Sequence, residues 1–222
     1  MGGLTGQLRR SPPPMSVADQ LYCICYDEHR DWYRLGDQVL RLGLAGALLA
    51  ELVMGRVVTV RKERIVVIWA SVHPPRDALL HTLLELIRSS RDVTTLQDWL
   101  RVLSDKSFED VVERLHRFGH VATVEVRRKL RTNLVYRPVN LEDAAWPESR
   151  IALSVNRGGE MWAADWVLAG LVVALGLDIH VFFDPRADVE TVREMTELLP
   201  PEMRDLLAEV EAAAGGTATQ PT

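Results

Sequence analysis

Between Val39 and Val53 the chain carries only two charged residues, Arg41 and Glu51, and its apolar side chains cover most of a helical wheel rather than one stripe. A helix of that kind is enclosed by a protein core or by lipid. This run of fifteen residues is shorter than the ~20 needed to span a bilayer. The run from Val39 to Val53 therefore predicts a buried central helix around which the rest of the chain packs. Gly43 and Gly46, three apart on one face, suit close approach of another backbone. Gly55 stands where a C-cap glycine is expected.

Local patterns predict what surrounds that helix. Leu21 to Tyr26 is an uninterrupted apolar and aromatic run that reads as a strand, placing Cys23 and Cys25 on one of its faces as packing thiols of a reducing compartment. Val57–Val60 and Ile65–Trp69, separated by Arg61-Lys-Glu-Arg64, read as a hairpin. Asp77 suits the N-cap of a helix carrying Leu79, Leu80, Leu83, Leu84 and Ile87. Thr94 or Thr95 opens a further helix, and Ser107 is placed to cap another that Gly119 stops. Val121–Val126 and Asn133–Arg137 form a second hairpin, which Pro138 ends. Asn140–Trp146 reads as a polar loop, and Ile151–Val155 fits helix or loop. Met161–Leu175 is a second apolar helix, and Asp188–Leu199 and Pro201–Ala212 are amphipathic helices expected to face solvent. The expected fold is mainly α with small β-hairpins (α+β): one globular domain over residues 18–212, between disordered tails at 1–17 and 213–222.

Charge narrows the function. The net charge is −5, so any contact with a polyanion has to come from a local patch. The segment Arg127 to Arg137 provides one, with five basic residues and no acidic one. No nucleophile elbow, phosphate-cradling glycine loop or zinc-protease motif occurs. The histidines are scattered, and His116 and His120 are separated by the expected helix end at Gly119. No catalytic residue, metal ligand or cofactor is expected. The longest later apolar run, Trp166–Leu177, is too short to span a membrane, and no leader-type apolar segment follows Arg9 and Arg10. A cytoplasmic protein is expected, meeting a membrane only from its surface.

The central stretch carries a resemblance. Gly43-Leu-Ala-Gly46-Ala-Leu-Leu-Ala-Glu51-Leu, followed by Gly55-Arg56-Val57, resembles the signature helix of the Golgi phosphoprotein 3 family, which includes bacterial members. Pro75-Arg-Asp77-Ala-Leu-Leu80, Glu113-Arg114-Leu115 through Gly119, Val135-Tyr-Arg-Pro138 and Leu168–Leu177 are similar to later family segments, in the same order. The resemblance implies a mostly helical fold whose surface binds phosphatidylinositol 4-phosphate. In eukaryotic members a tryptophan ahead of the signature helix, an arginine between its glycines and two arginines before the hairpin hold the head group. The matching positions here are Gly36, Ala45, Asp105 and Phe108, with Trp32 four residues before Gly36. The candidate lipid-binding residues are accordingly Trp32 and Arg41 with the hairpin residues Arg127, Arg128, Lys129 and Arg131.

These readings converge on a non-enzymatic peripheral membrane adaptor for an anionic or inositol phospholipid surface, working with a protein partner that the sequence does not name. The 121–137 hairpin also offers an edge for pairing with a second copy. Two alternatives stand beside it. One is a winged-helix-like DNA-binding protein, disfavoured by Glu109, Asp110 and Glu113 on the would-be recognition helix. The other is a protein-interaction module with no lipid ligand.

Overall fold

The computed structural model describes residues 14–62, 64–67, 75–90, 92–93, 95–128, 131–158 and 161–218, with the side chains of 126–128, 131–133 and 217–218 left out. In chain order it contains α1 (Val17–Cys25), β1 (Tyr26–Asp27), β2 (Trp32–Tyr33), α2 (Asp37–Met54), β3 (Val58–Arg61), β4 (Arg64–Val67), α3 (Ala78–Ser89) and α4 (Leu96–Arg117). There follow β5 (Val121–Arg128), β6 (Arg131–Pro138), α5 (Leu141–Arg157), α6 (Ala163–Ala174), α7 (Asp178–Val181), α8 (Pro185–Thr196) and α9 (Pro201–Ala218). The strands form three separate antiparallel hairpins, β1–β2, β3–β4 and β5–β6. The molecule is thus mainly helical with small hairpins, as its patterning predicts.

The apolar helix α2 is the centre, with α1, α4, α6 and α9 packed around it. Leu44, Ala45, Ala47, Leu48, Ala50 and Leu52 are fully buried, which explains why the helix is apolar nearly all round. Its two glycines do allow close approach, but of side chains rather than backbone. A Cβ on Gly43 would lie 2.5 Å from Leu175 Cδ1, and one on Gly46 would lie 2.6 Å from Val210 Cγ2. Gly55 is the C-cap but keeps right-handed backbone, while Arg56 takes the left-handed position at φ 55°.

Four local readings need correction. The run Leu21–Tyr26 is helical up to Cys25: α1 is apolar on nearly every side because α2, α4, α5 and α6 enclose it. Continuous burial of a short run cannot tell helix from strand. The deciding signal lies upstream, where the Asp19 carboxylate accepts from the backbone N–H and hydroxyl of Ser16 at 3.0 and 2.8 Å and opens the helix. Ser107 caps nothing. It lies inside the continuous helix α4, and its hydroxyl donates to the Arg41 carbonyl of α2 at 2.7 Å.

The stretch Asn140–Trp146 is the start of α5, with the Asn140 side chain accepting from the Glu142 N–H at 2.9 Å. Pro147 is buried within that helix and removes one backbone donor without ending it. Finally, α9 does not simply face solvent: Met203, Leu206 and Val210 are buried, and the helix runs past Ala212 through Gly215 and Gly216 to Ala218. Trp69, Thr94 and the segment 1–13, which holds most of the expected N-terminal tail, lie outside the described residues.

Other local readings hold. Asp77 caps α3 by accepting from Leu80 N–H at 3.0 Å, and Thr95 caps α4 by accepting from Asp98 N–H at 3.1 Å. Gly119, at φ 78°, ends α4 and leads into β5.

Candidate functional site

Four elements meet at one corner of the molecule and bring aromatic residues together. The hairpin β1–β2 sets Tyr26 opposite Tyr33 and Asp27 opposite Trp32. Behind it stands Tyr22 of α1, with Phe108 of α4 on one side and Tyr136 of β6 on another. Tyr33 and Phe108 pack edge to face at 5.4 Å and 86°, as do Phe108 and Tyr136 at 6.3 Å and 66°, while Trp32 is tilted against Tyr33 at 5.9 Å and 53°. The Tyr22 hydroxyl donates to the Tyr136 carbonyl at 2.7 Å. The 2.9 Å contact between the Tyr22 and Tyr33 hydroxyls then has Tyr33 as its donor, because a hydroxyl carries one proton. Burial pushes the Tyr33 phenol up to about 12.

In front of these rings opens a cavity of about 160 Å³, lined by Trp32, Tyr33, Leu35, Asp37, Leu40, Phe108, Leu134, Val135 and Tyr136. Trp32 stands at its edge, 44% exposed, and Leu134 is 60% exposed.

Arg41 lies beside this pocket, its Cζ 5.5 Å from the Phe108 ring centroid. Its guanidinium is heavily engaged. Nε donates to both Asp37 carboxylate oxygens at 3.0 and 3.2 Å, Nη1 and Nη2 each donate to Glu109 at 2.6 Å, and Nη1 also reaches the Asp105 carbonyl at 3.2 Å. The hydrogen bond to Glu109 foremost, then those to Asp37, raises the Arg41 pKa further, and Arg41 lowers that of Glu109. One cation is therefore shared by two carboxylates.

The fold brings Trp32 and Arg41 to this corner, and with them two positions the family resemblance singles out. Phe108 forms a pocket wall and Asp105 supplies a carbonyl to Arg41. Ala45 is fully buried one turn beyond Arg41 on the same side of α2. Gly36 is the N-cap of α2.

The basic residues occupy the far end of the β5–β6 hairpin, where Arg127 pairs with Thr132 and Arg128 with Arg131. The side chains of Arg127, Arg128 and Arg131, and Lys129 altogether, lie outside the described residues. Arg137, at the near end, is paired with Asp31 through Nε at 3.0 Å and through a second contact from Nη2. Sequence reasoning missed Tyr33, Leu134 and Tyr136 as site residues. Each reads locally as ordinary core or strand patterning, and only the packing of β2 against α4 and β6 makes them one surface.

A second polar cluster is centred on three buried side chains, Arg114, Asp19 and Glu51. Arg114 of α4 donates to Asp19 of α1 at 2.9 Å and to Glu51 of α2 at 2.9 and 3.3 Å, with the α3 cap Asp77 at 3.7 Å. Glu51 also accepts the Ala18 N–H at 2.7 Å. Burial pushes the Glu51 carboxyl up, against the pull of Arg114. Burial would lower the Arg114 pKa, but Glu51 and Asp19 outweigh it and keep the guanidinium charged. The cluster ties α1, α2, α3 and α4 together.

Among the described residues no group of three or more His, Cys, Asp and Glu is arranged to hold a metal, and no helix is long and apolar enough to cross a membrane. No curated protein sequence matches the chain. The family model described as Golgi phosphoprotein 3 (GPP34) matches residues 17–210, from the first turn of α1 into α9. With the match spanning nearly the whole helical body and the signature helix at its centre, the chain belongs to the Golgi phosphoprotein 3 family.

Proposed function

We propose that the protein is a non-enzymatic peripheral membrane adaptor that docks on an anionic phospholipid surface at the cytoplasmic face of a membrane. Family membership suggests a lipid-binding adaptor role of this kind. The observation that carries the reading is the placement of Trp32. It is half-exposed at the mouth of an aromatic pocket, and the strand β6 that walls this pocket continues into the hairpin end bearing Arg127, Arg128, Lys129 and Arg131.

A tryptophan at such an edge suits the membrane–water boundary, where its ring is half in apolar surroundings. Each basic residue near an anionic leaflet contributes about 1 kcal/mol, so four acting together suffice for reversible recruitment. Phosphatidylinositol 4-phosphate is the head group that the family resemblance implies. In this chain Ala45 and Phe108 stand where two of the family arginines would be, and Arg41 is shared between Asp37 and Glu109. Anion contact therefore falls chiefly to the hairpin, which favours general anionic attraction over a tight inositol phosphate clamp. A protein partner completes the adaptor role, and self-association along the hairpin 121–137 is a second use of the same element.

Liposome co-sedimentation tests this at ~0.15 M salt, where the Debye length is ~8 Å. Vesicles of neutral lipid, of neutral plus anionic lipid, and of neutral lipid plus phosphatidylinositol 4-phosphate are compared. Binding to the anionic vesicles is expected to fall to the neutral background when Arg127, Arg128, Lys129 and Arg131 are all changed to Ser. No binding to any charged vesicle overturns the membrane reading. Binding that needs the phosphoinositide and survives the fourfold change overturns the role assigned to the hairpin.

A further inference from the structure

We propose that the aromatic pocket receives a trimethylammonium group, the cationic end of a choline phospholipid head group. The proposal rests on the membrane reading above and adds a ligand for its central cavity.

The walls are the first argument. Trp32, Tyr33, Phe108 and Tyr136 surround the cavity with neighbouring rings turned 53°, 86° and 66° from one another. Aromatic side chains lining one small space offer ring faces whose negative quadrupole attracts a cation, whereas their edges are positive, and cages of this kind hold quaternary ammonium ions. A space of about 160 Å³ accommodates a compact head group but not a folded peptide or a nucleotide.

Charge is the second argument. Among the described residues no lining side chain is cationic, and Asp37 is the one charged residue of the lining. Just behind it, one guanidinium, Arg41, is shared between Asp37 and Glu109, leaving one negative charge in excess. A phosphate driven into this space meets a carboxylate and ring faces, whereas a cation meets attraction from both. The Phe108 ring already has the Arg41 guanidinium over it at 5.5 Å, so an organic cation on these rings has a precedent inside the molecule.

Hydrogen bonding decides between cations. The Tyr33 hydroxyl is turned inward to Tyr22, so it offers the pocket ring surface rather than an acceptor. A primary ammonium brings three N–H donors to a space whose one charged acceptor among the described lining residues, Asp37, already accepts from Arg41, and the donors left unpaired are costly in an apolar site. A trimethylammonium group has no N–H donors and loses nothing. Its phosphate stays at the mouth, in water.

The test uses the full chain and soluble head groups, so that it does not depend on membrane docking. Glycerophosphocholine is titrated while the Trp32 indole N–H resonance, assigned by its loss in Trp32→Leu, is followed. The same titration is made with the neutral analogue in which a tert-butyl group replaces trimethylammonium, with glycerophosphoethanolamine, and with glycerophosphoinositol 4-phosphate. Saturable binding of the choline compound is expected, with the neutral analogue and the ethanolamine compound each about tenfold weaker or worse, given what cation–π contacts contribute. Phe108→Leu, which keeps an apolar wall but removes a ring, should weaken the choline compound by a similar factor in a protein whose amide spectrum stays folded.

Equal binding of the neutral analogue overturns the proposal in favour of a merely apolar pocket. Preference for the inositol phosphate overturns it in favour of an anion site, and silence from all four compounds overturns it outright. Vesicle binding lost only on removing the hairpin charges, with no choline effect, leaves the membrane reading standing and the pocket proposal rejected. Choline binding without vesicle recruitment rejects the membrane reading and supports the pocket as a choline site.

Discussion

Arg114 and Glu51 face each other inside the protein in a two-point ion pair, Nη1 to Oε2 at 2.9 Å and Nη2 to Oε1 at 3.3 Å, with both side chains almost wholly out of solvent. The same guanidinium holds Asp19 at 2.9 Å. One buried cation thus stabilises carboxylates from two other helices, and its removal strands them.

Arg114→Met is expected to destabilise the fold by about 3–5 kcal/mol at neutral pH, the usual cost of leaving a partner of a buried pair uncompensated. The pH dependence has a definite sign. Burial already raises the Glu51 carboxyl, and without Arg114 it rises further in the folded state only. The folded variant then binds more protons than the unfolded chain between the ordinary carboxylate range and the raised value, so its stability increases as pH falls through that window. Urea unfolding at pH 7 and at pH 5 checks this: the deficit relative to the parent should shrink at the lower pH. An equal deficit at both would show that packing, not charge, sets the loss.

Gly46 is held small by Val210, whose Cγ2 occupies the place of its absent Cβ. Gly46→Ala gains roughly 1 kcal/mol of helix propensity but forces a stiff, buried valine to move, at about 1–3 kcal/mol. Net destabilisation is expected, relieved in the double variant Gly46→Ala, Val210→Ala. A double-mutant cycle by chemical denaturation measures the coupling, and additive effects would refute the contact.

Ser107 separates two accounts of α4. Aspartate is among the best N-cap residues, so Ser107→Asp would be harmless at a helix start. In the structure the Ser107 hydroxyl donates to the Arg41 carbonyl from a buried position, where a carboxylate meets an oxygen it cannot satisfy. A loss of at least about 2 kcal/mol is expected, measured as a drop in thermal or urea midpoint.

Cys23 and Cys25 are both buried and free, and burial pushes the Cys23 thiol up to about 12 and that of Cys25 higher still. Reaction needs the thiolate. Maleimide labelling of the native protein at pH 7 should therefore be negligible for both and complete after unfolding. Rapid native labelling would contradict the enclosure of α1.

The extent to which the chain alone announces this structure differs from one segment to another. The central helix, the caps at Asp77 and Thr95, the stop at Gly119 and the two larger hairpins are legible because local chemistry decides them: apolar coverage of a wheel, a side chain accepting one orphan N–H, a glycine where φ turns positive. Residues 21–25 and 140–146 mislead for the converse reason. A fully enclosed run loses its period, and Asn140–Trp146 reads as a polar loop until Asn140 is seen capping α5.

Neighbours along the chain are enough to specify the enclosed helix α2, the family signature within it and the basic character of residues 127–131. Long-range packing settles the rest. It set Val210 and Leu175 over the two glycines, closed Arg114 on Asp19 and Glu51, and paired Arg41 with Asp37 and Glu109. It also gathered Trp32, Tyr33, Phe108 and Tyr136 around one cavity. Those residues lie on β2, α4 and β6, far apart along the chain, and their chemistry exists only where tertiary contacts set each ring beside the next, at centroid distances of 5.9, 5.4 and 6.3 Å.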